Sequence, residues 1–120
     1  MFEIIIFENK NGESSVKSLI EDLKKKEATN KGARISLKKI REYIRVLKRF
    51  GTRAGEKYTK HIEGNIWELR PQSNRIFFFF WIENTIVLLH SFQKKSQKTP
   101  KKEIEQARRN MDLFLLDKEN

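Results

Sequence analysis

The segment RIFFFFW, residues 75–81, is apolar at every position after Arg75. A strand with one wet face alternates apolar and polar side chains, whereas one that is apolar throughout has both faces covered. The run therefore predicts a central strand with packing elements above and below it. Its flanks supply the neighbours. Upstream, IWELR (66–70) reads as a strand, joined to the first by a turn that begins at Pro71. Downstream, Glu83 and Asn84 turn the chain, and residues 85–92 form another strand. Residues 2–7, FEIIIF, make a fourth strand, again with little alternation.

Helical periodicity fills the remainder. Ser14 or Ser15 is positioned to cap a helix in which Val16, Leu19, Ile20 and Leu23 recur at i, i+3, i+4 and i+7. Residues 24–32 read as a polar hinge. A second helix is expected from about residue 33 to 50, with Leu37, Ile40, Ile44 and Leu47 as its apolar stripe and Gly51 as its C-terminal cap. Residues 51–60 read as a basic loop. Thr99 is the expected cap of a last helix, with Pro100 at its first position. Glu103 stands one place beyond where a capping box needs it. Ile104, Ala107, Met111, Phe114 and Leu115 mark that helix's buried stripe. The order β-α-α-β-β-β-α indicates an α+β fold, and 1–120 reads as a single domain without repeats or low-complexity tracts.

Composition sets the limits. The chain has 120 residues, 38% of them hydrophobic, with nine Phe and two Trp, so a packed domain is expected rather than disorder. There is no Cys, which excludes a disulfide scaffold, a thiolate metal site and a cysteine nucleophile, and suits a reducing cytoplasm. The longest apolar run, 76–82, is far short of the ~20 residues a membrane helix needs. The N-terminus has no basic region ahead of its apolar residues and does not read as a signal peptide. A formal charge of +10 and a pI near 9.9 point to a polyanionic partner. The excess is uneven: residues 24–60 hold a net +11, residues 94–109 a net +5, and the rest a net −6.

No P-loop or dinucleotide-binding glycine motif is present. His61 and His90 have no carboxylates at metal-site spacing. A Ser-His-acid set can be drawn from the inventory, but nothing in the sequence places such groups together. The chemistry open to this chain rests on Arg, Lys and His, which suits phosphodiesters, where charge develops on phosphate oxygens. Arg70 ends one strand and Arg75 begins the next, so both guanidinium groups come near one hairpin edge, able to grip a phosphate or to pair with Glu68 or Glu63. Glu68 reads as a partner that orients an Arg. His61, beside the basic loop, has a side chain suited to moving a proton at neutral pH, or is a plain exposed loop histidine. His90, in an apolar strand, reads as a hydrogen-bonded core residue. Tyr58 could stack on a base, and Phe92 reads as core.

The stretches HIEGNIWELR (61–70), NRIFFF (74–79), IVLLHSF (86–92) and QKKSQKTP (93–100) together carry a resemblance. They resemble the RelE/ParE superfamily of toxins, most closely its HigB-like, phage-related branch. The resemblance implies an antiparallel sheet carrying two N-terminal helices with a C-terminal helix alongside. It implies the toxin of a type II toxin–antitoxin system, a ribosome-dependent mRNA endoribonuclease that needs no metal or cofactor. A ParE-like toxin that inhibits DNA gyrase without nuclease activity is the alternative. The implied partners are a helix-turn-helix antitoxin that also binds operator DNA, the ribosome and mRNA. The implied catalytic residues are Arg70, Arg75, Lys95 and His61, and the implied RNA-binding rim is Lys57, Tyr58, Lys60, Lys94 and Lys98. One departure stands out: such nucleases often use a C-terminal Tyr, and this chain has none after Tyr58.

Overall fold

The computed structural model describes residues 1–119. The elements follow as β1 (Glu3–Ile6), α1 (Ser15–Lys26), α2 (Lys31–Phe50), a 3-10 turn (Gly51–Ala54), β2 (Thr59–Glu63), β3 (Ile66–Leu69), β4 (Asn74–Trp81), β5 (Thr85–Gln93) and α3 (Lys101–Glu119). One sheet is formed in the order β1-β5-β4-β3-β2. The phenylalanine run is its middle strand.

Alternation along that strand explains why it is apolar throughout. Ile76 and Phe78 face a core built with Val16, Ile40, Tyr43 and Leu47 of α1 and α2. Phe77 and Phe79 face a second core, built with Ala107, Met111 and Phe114 of α3. Strand β5 repeats the pattern: Ile86 and Leu88 join the first core, Val87 and Leu89 the second. The sheet is thus a layer between two helical faces, and each of its inner strands needs apolar residues on both sides.

The α+β class and the places of the three helices agree with the sequence reading, and the sheet differs in several details. The sheet is mixed, since β1 runs parallel to β5 while every other pair is antiparallel. A fifth strand, β2, occupies residues expected in a loop and turn. Its sequence TKHIE is polar because it lies at the sheet edge, where charged side chains face solvent. Helix α2 starts earlier than expected because Asn30, inside the supposed hinge, caps it by accepting the Ala33 N–H at 2.9 Å. Of the two serines, Ser14 caps α1. At α3 the cap position falls on Pro100, whose carbonyl accepts the Ile104 N–H, rather than on Thr99. Gly51 does close α2, at φ 59°, with its N–H bonded to the Leu47 carbonyl.

Strand β1 is shorter than its neighbour, so β5 would be left with an open edge beyond Leu88. Side chains close it. Ser15 Oγ accepts the Ser91 N–H at 2.8 Å, and the Ser91 hydroxyl donates to the Ser15 carbonyl at 2.9 Å. At a bulge opposite Phe77 and Phe78, the carbonyl of Leu89 accepts from Asn110 Nδ2 of α3 at 2.8 Å. These contacts satisfy backbone groups that would otherwise be buried unpaired. Among the described residues, no helix is long and apolar enough to cross a membrane.

Candidate functional site

The site is built where β3 ends and β4 begins. Glu68 lies directly opposite Phe77 in the β3–β4 register, so its carboxylate points to the α3 side of the sheet. Its side chain is 1% exposed. Two guanidinium groups meet it there: Arg70 Nε at 3.4 Å and Arg75 Nε at 3.7 Å, both from the same oxygen. None of these three groups completes a hydrogen bond with another, and at 3.7 Å Arg75 Nε is out of hydrogen-bond reach; they are held by charge.

The arginines are anchored elsewhere. Arg70 Nη1 donates to the Glu56 carbonyl at 2.9 Å, which ties the loop before β2 to the cluster. Arg75 Nη1 donates to the carbonyls of Gln72 and Asn74. Each Nη2 has no protein partner among the described residues. Burial pushes the Arg75 guanidinium below the ordinary arginine range; Glu68 pushes it back up and Arg70 again down. One carboxylate facing two guanidinium groups leaves a net +1.

The segment after β5 completes the surface. The Lys94 N–H bonds the Ser73 carbonyl at 2.7 Å, which docks this segment on the β3–β4 turn. Arg75, Lys94, Lys95, Ser96 and Gln97 then line an open groove. The structure therefore brings Arg70, Arg75, Lys94 and Lys95 together, whereas Lys98 does not line the groove. Lys60 stands opposite Glu68 in the β2–β3 register and faces the same side.

Two other expected residues are turned away. His61 pairs with Trp67, and Trp67 packs on the α1/α2 core, so His61 lies on the opposite face from Glu68. Its ring stands edge-on to Trp67 at 5.1 Å, and Nε2–H donates to the Gly64 carbonyl at 2.8 Å. The reason is the period of two along a strand: Lys60 and His61 cannot share a face. Tyr58 packs tilted against Tyr43 of α2 with ring centroids 4.7 Å apart and joins the α1/α2 core, so its ring is occupied, with Lys57 Nζ 5.3 Å away over it. Glu63, an alternative partner for the arginines, is paired with Arg108 instead.

One constellation had no sequence signal. His90 Nδ1 is 2.9 Å from Ser15 Oγ, and Nε2 is 2.8 Å from Glu103 Oε1. The three groups come from α1, β5 and α3, far apart in sequence, and only the tertiary fold joins them. The side chains of His90 and Glu103 are 13% and 22% exposed, so the chain of bonds is largely enclosed. It stitches both helical layers to the sheet. His90 also stacks on Phe92, which lies opposite Arg75. Among the described residues, no group of three or more His, Asp or Glu side chains is arranged to hold a metal ion.

The family described as phage derived protein Gp49-like (DUF891) matches residues 21–112. Among solved structures, the chain is similar to one in a YoeB–YefM complex from Staphylococcus aureus. Identity is 17%, the TM-score 0.49, and the match covers 80% of this chain and 99% of that one. No curated protein matches the sequence.

Proposed function

The chain belongs to the phage derived Gp49-like family, a RelE/YoeB-type toxin family, and on that premise we propose that it is the toxin of a type II toxin–antitoxin pair that cuts mRNA on the ribosome. The observation that carries this reading is the pair of guanidinium groups sharing one buried carboxylate beside a groove lined by Lys94 and Lys95. A net positive cluster with free Nη2 donors suits a phosphodiester whose oxygens gain charge in the transition state.

The mechanism uses the RNA itself as nucleophile. The 2′-OH gives up its proton to solvent water as its oxygen attacks the adjacent phosphorus, and the bond to the 5′-oxygen breaks. The products are a 2′,3′-cyclic phosphate and a 5′-OH. Arg70 and Arg75 bind the nonbridging oxygens. Lys95, as an ammonium on the groove wall, gives the leaving oxygen its proton. Lys60, on the same face, and Lys94 hold the flanking phosphates. His61 takes no part, because it faces the other side of the sheet. A helix-turn-helix antitoxin neutralises the toxin by covering the cationic groove.

The test is an in vitro translation reaction carrying a defined message, with primer extension to map the cuts. Wild-type chain should cut the message, Arg75→Ala should not, and a message with 2′-O-methyl at the cut position should resist. Cleavage of the methylated message would exclude 2′-OH attack. Intact messages accompanied by relaxed or linear plasmid DNA would replace this reading with inhibition of gyrase.

A further inference from the structure

Helix α2 carries a charge pattern that the candidate groove does not use. Lys31, Arg34, Lys38, Arg41, Arg45 and Lys48 recur at alternating intervals of three and four, which places them in one stripe along the helix. All six are exposed. Among the described residues none forms an ion pair, and Arg34 alone has a side-chain bond, to the Glu27 carbonyl at 2.9 Å. The helix has a single acid, Glu42, which is already set against Lys39 at 3.8 Å. At 1.5 Å per residue the stripe is about 26 Å long. Its residues lie away from the α1/α2 core, which in turn lies across the sheet from Glu68 and the groove.

Holding six like charges in one line opposes folding through mutual repulsion unless something else sits there. We propose that this stripe docks on the phosphate backbone of double-helical RNA. B-form DNA presents one charge per about 1.7 Å of axis and the A-form RNA duplex is denser, so at least some fifteen phosphates pass along a stripe of this length. A protein partner fits less well, since protein interfaces centre on aromatic or aliphatic anchors and are depleted in Lys. Here Tyr43 is buried, and the exposed apolar side chains of the helix, Ile35 and Phe50, stand towards its opposite ends, Phe50 under Arg49, so they form no central anchor. Single-stranded RNA also fits less well, because its capture relies on aromatic side chains that stack on bases. The choice of RNA over DNA rests on the ribosomal reading above; the docking surface itself does not.

The experiment measures binding of the full chain to a 20-base-pair RNA duplex by fluorescence anisotropy over a range of salt. The same measurement is made on a DNA duplex of equal length and on an oligoglutamate peptide. The variant is K38Q/R41Q/R45Q, with the double variant K38Q/R45Q as a milder form should the first fold poorly. The triple variant should weaken RNA duplex binding more than tenfold. It should also flatten the slope of log K against log salt by about 2.7, at about 0.9 per lost phosphate contact. Lys10→Gln, which removes an exposed cation outside both the stripe and the groove, should bind the duplex nearly as wild type does. An unchanged affinity and slope in both stripe variants would overturn the proposal. So would stripe-dependent binding of oligoglutamate, or of DNA, in place of RNA. Loss of duplex binding in the stripe variant of a chain that cuts no message would leave the docking surface standing and the nuclease reading refuted.

Discussion

Glu68→Gln is the most informative single change in this protein. It removes one negative charge and almost no volume from a site that is 1% exposed. With an effective dielectric constant of about 20, the carboxylate attracts Arg70 at 3.4 Å by about 5 kcal/mol and Arg75 at 3.7 Å by about 4.5 kcal/mol, before desolvation and the repulsion between the arginines are set against them. Breaking a buried pair by removing one partner costs about 3–5 kcal/mol, because the other charge stays buried and uncompensated. Glutamine keeps a neutral acceptor in place, so the loss belongs near the lower end, about 3 kcal/mol. A domain of this kind has about 5–15 kcal/mol of stability, so the variant still folds. In urea its midpoint should fall by about 1.5 M at an unchanged slope of about 2 kcal/mol per molar. The two guanidinium groups, no longer held together, should separate and message cleavage should drop sharply. Glu68→Asp should restore part of both properties. The triple variant E68L/R70L/R75L supplies the control: replacing all three charges by apolar groups should cost less stability than Glu68→Gln alone, while abolishing activity. A Glu68→Gln protein within about 0.5 kcal/mol of wild type would refute the reasoning, since surface-like changes have that size.

Three further outcomes are expected. Ser15→Ala leaves the Ser91 N–H and His90 without their shared partner and should cost about 1–3 kcal/mol in urea or thermal unfolding. Gly51→Ala puts a Cβ 2.9 Å from the Phe2 ring at a φ of 59°, and strain plus overpacking should lower stability by about 1–3 kcal/mol in the same assay. His61→Ala should leave message cleavage close to wild type; a loss of about 10²–10⁴-fold, the size of a general acid–base contribution, would move the chemistry to the other face of the sheet.

Residues differ in how far their roles were legible. The phenylalanine run announced a central strand because successive apolar residues stay dry only where both faces of the sheet are covered, as they are at Ile76, Phe77, Phe78 and Phe79. The arginines at the strand ends and the lysines after β5 were likewise readable, because they are close in sequence to the turn that gathers them. Strand β2 was not readable. An edge strand meets only one neighbour and one core, so its sequence lacks the apolar signal of an inner strand. Asn30 was hidden for a similar reason, since a polar residue in a polar stretch becomes a cap only once the helix behind it packs.

Local pattern by itself determined the strands with two covered faces, the amphipathic helices, the absence of thiol chemistry and the cationic stretches, all of which depend on neighbours a few residues apart. Which face each side chain takes, and which distant group it meets there, was decided by the tertiary structure alone. Register put Glu68 between two arginines and turned His61 away from them, and packing of α1 and α3 against β5 closed the Ser15–His90–Glu103 chain. The physical reason is that a strand reverses its faces with every residue. A site built on a sheet therefore depends on pairing between segments, and no single segment contains that information.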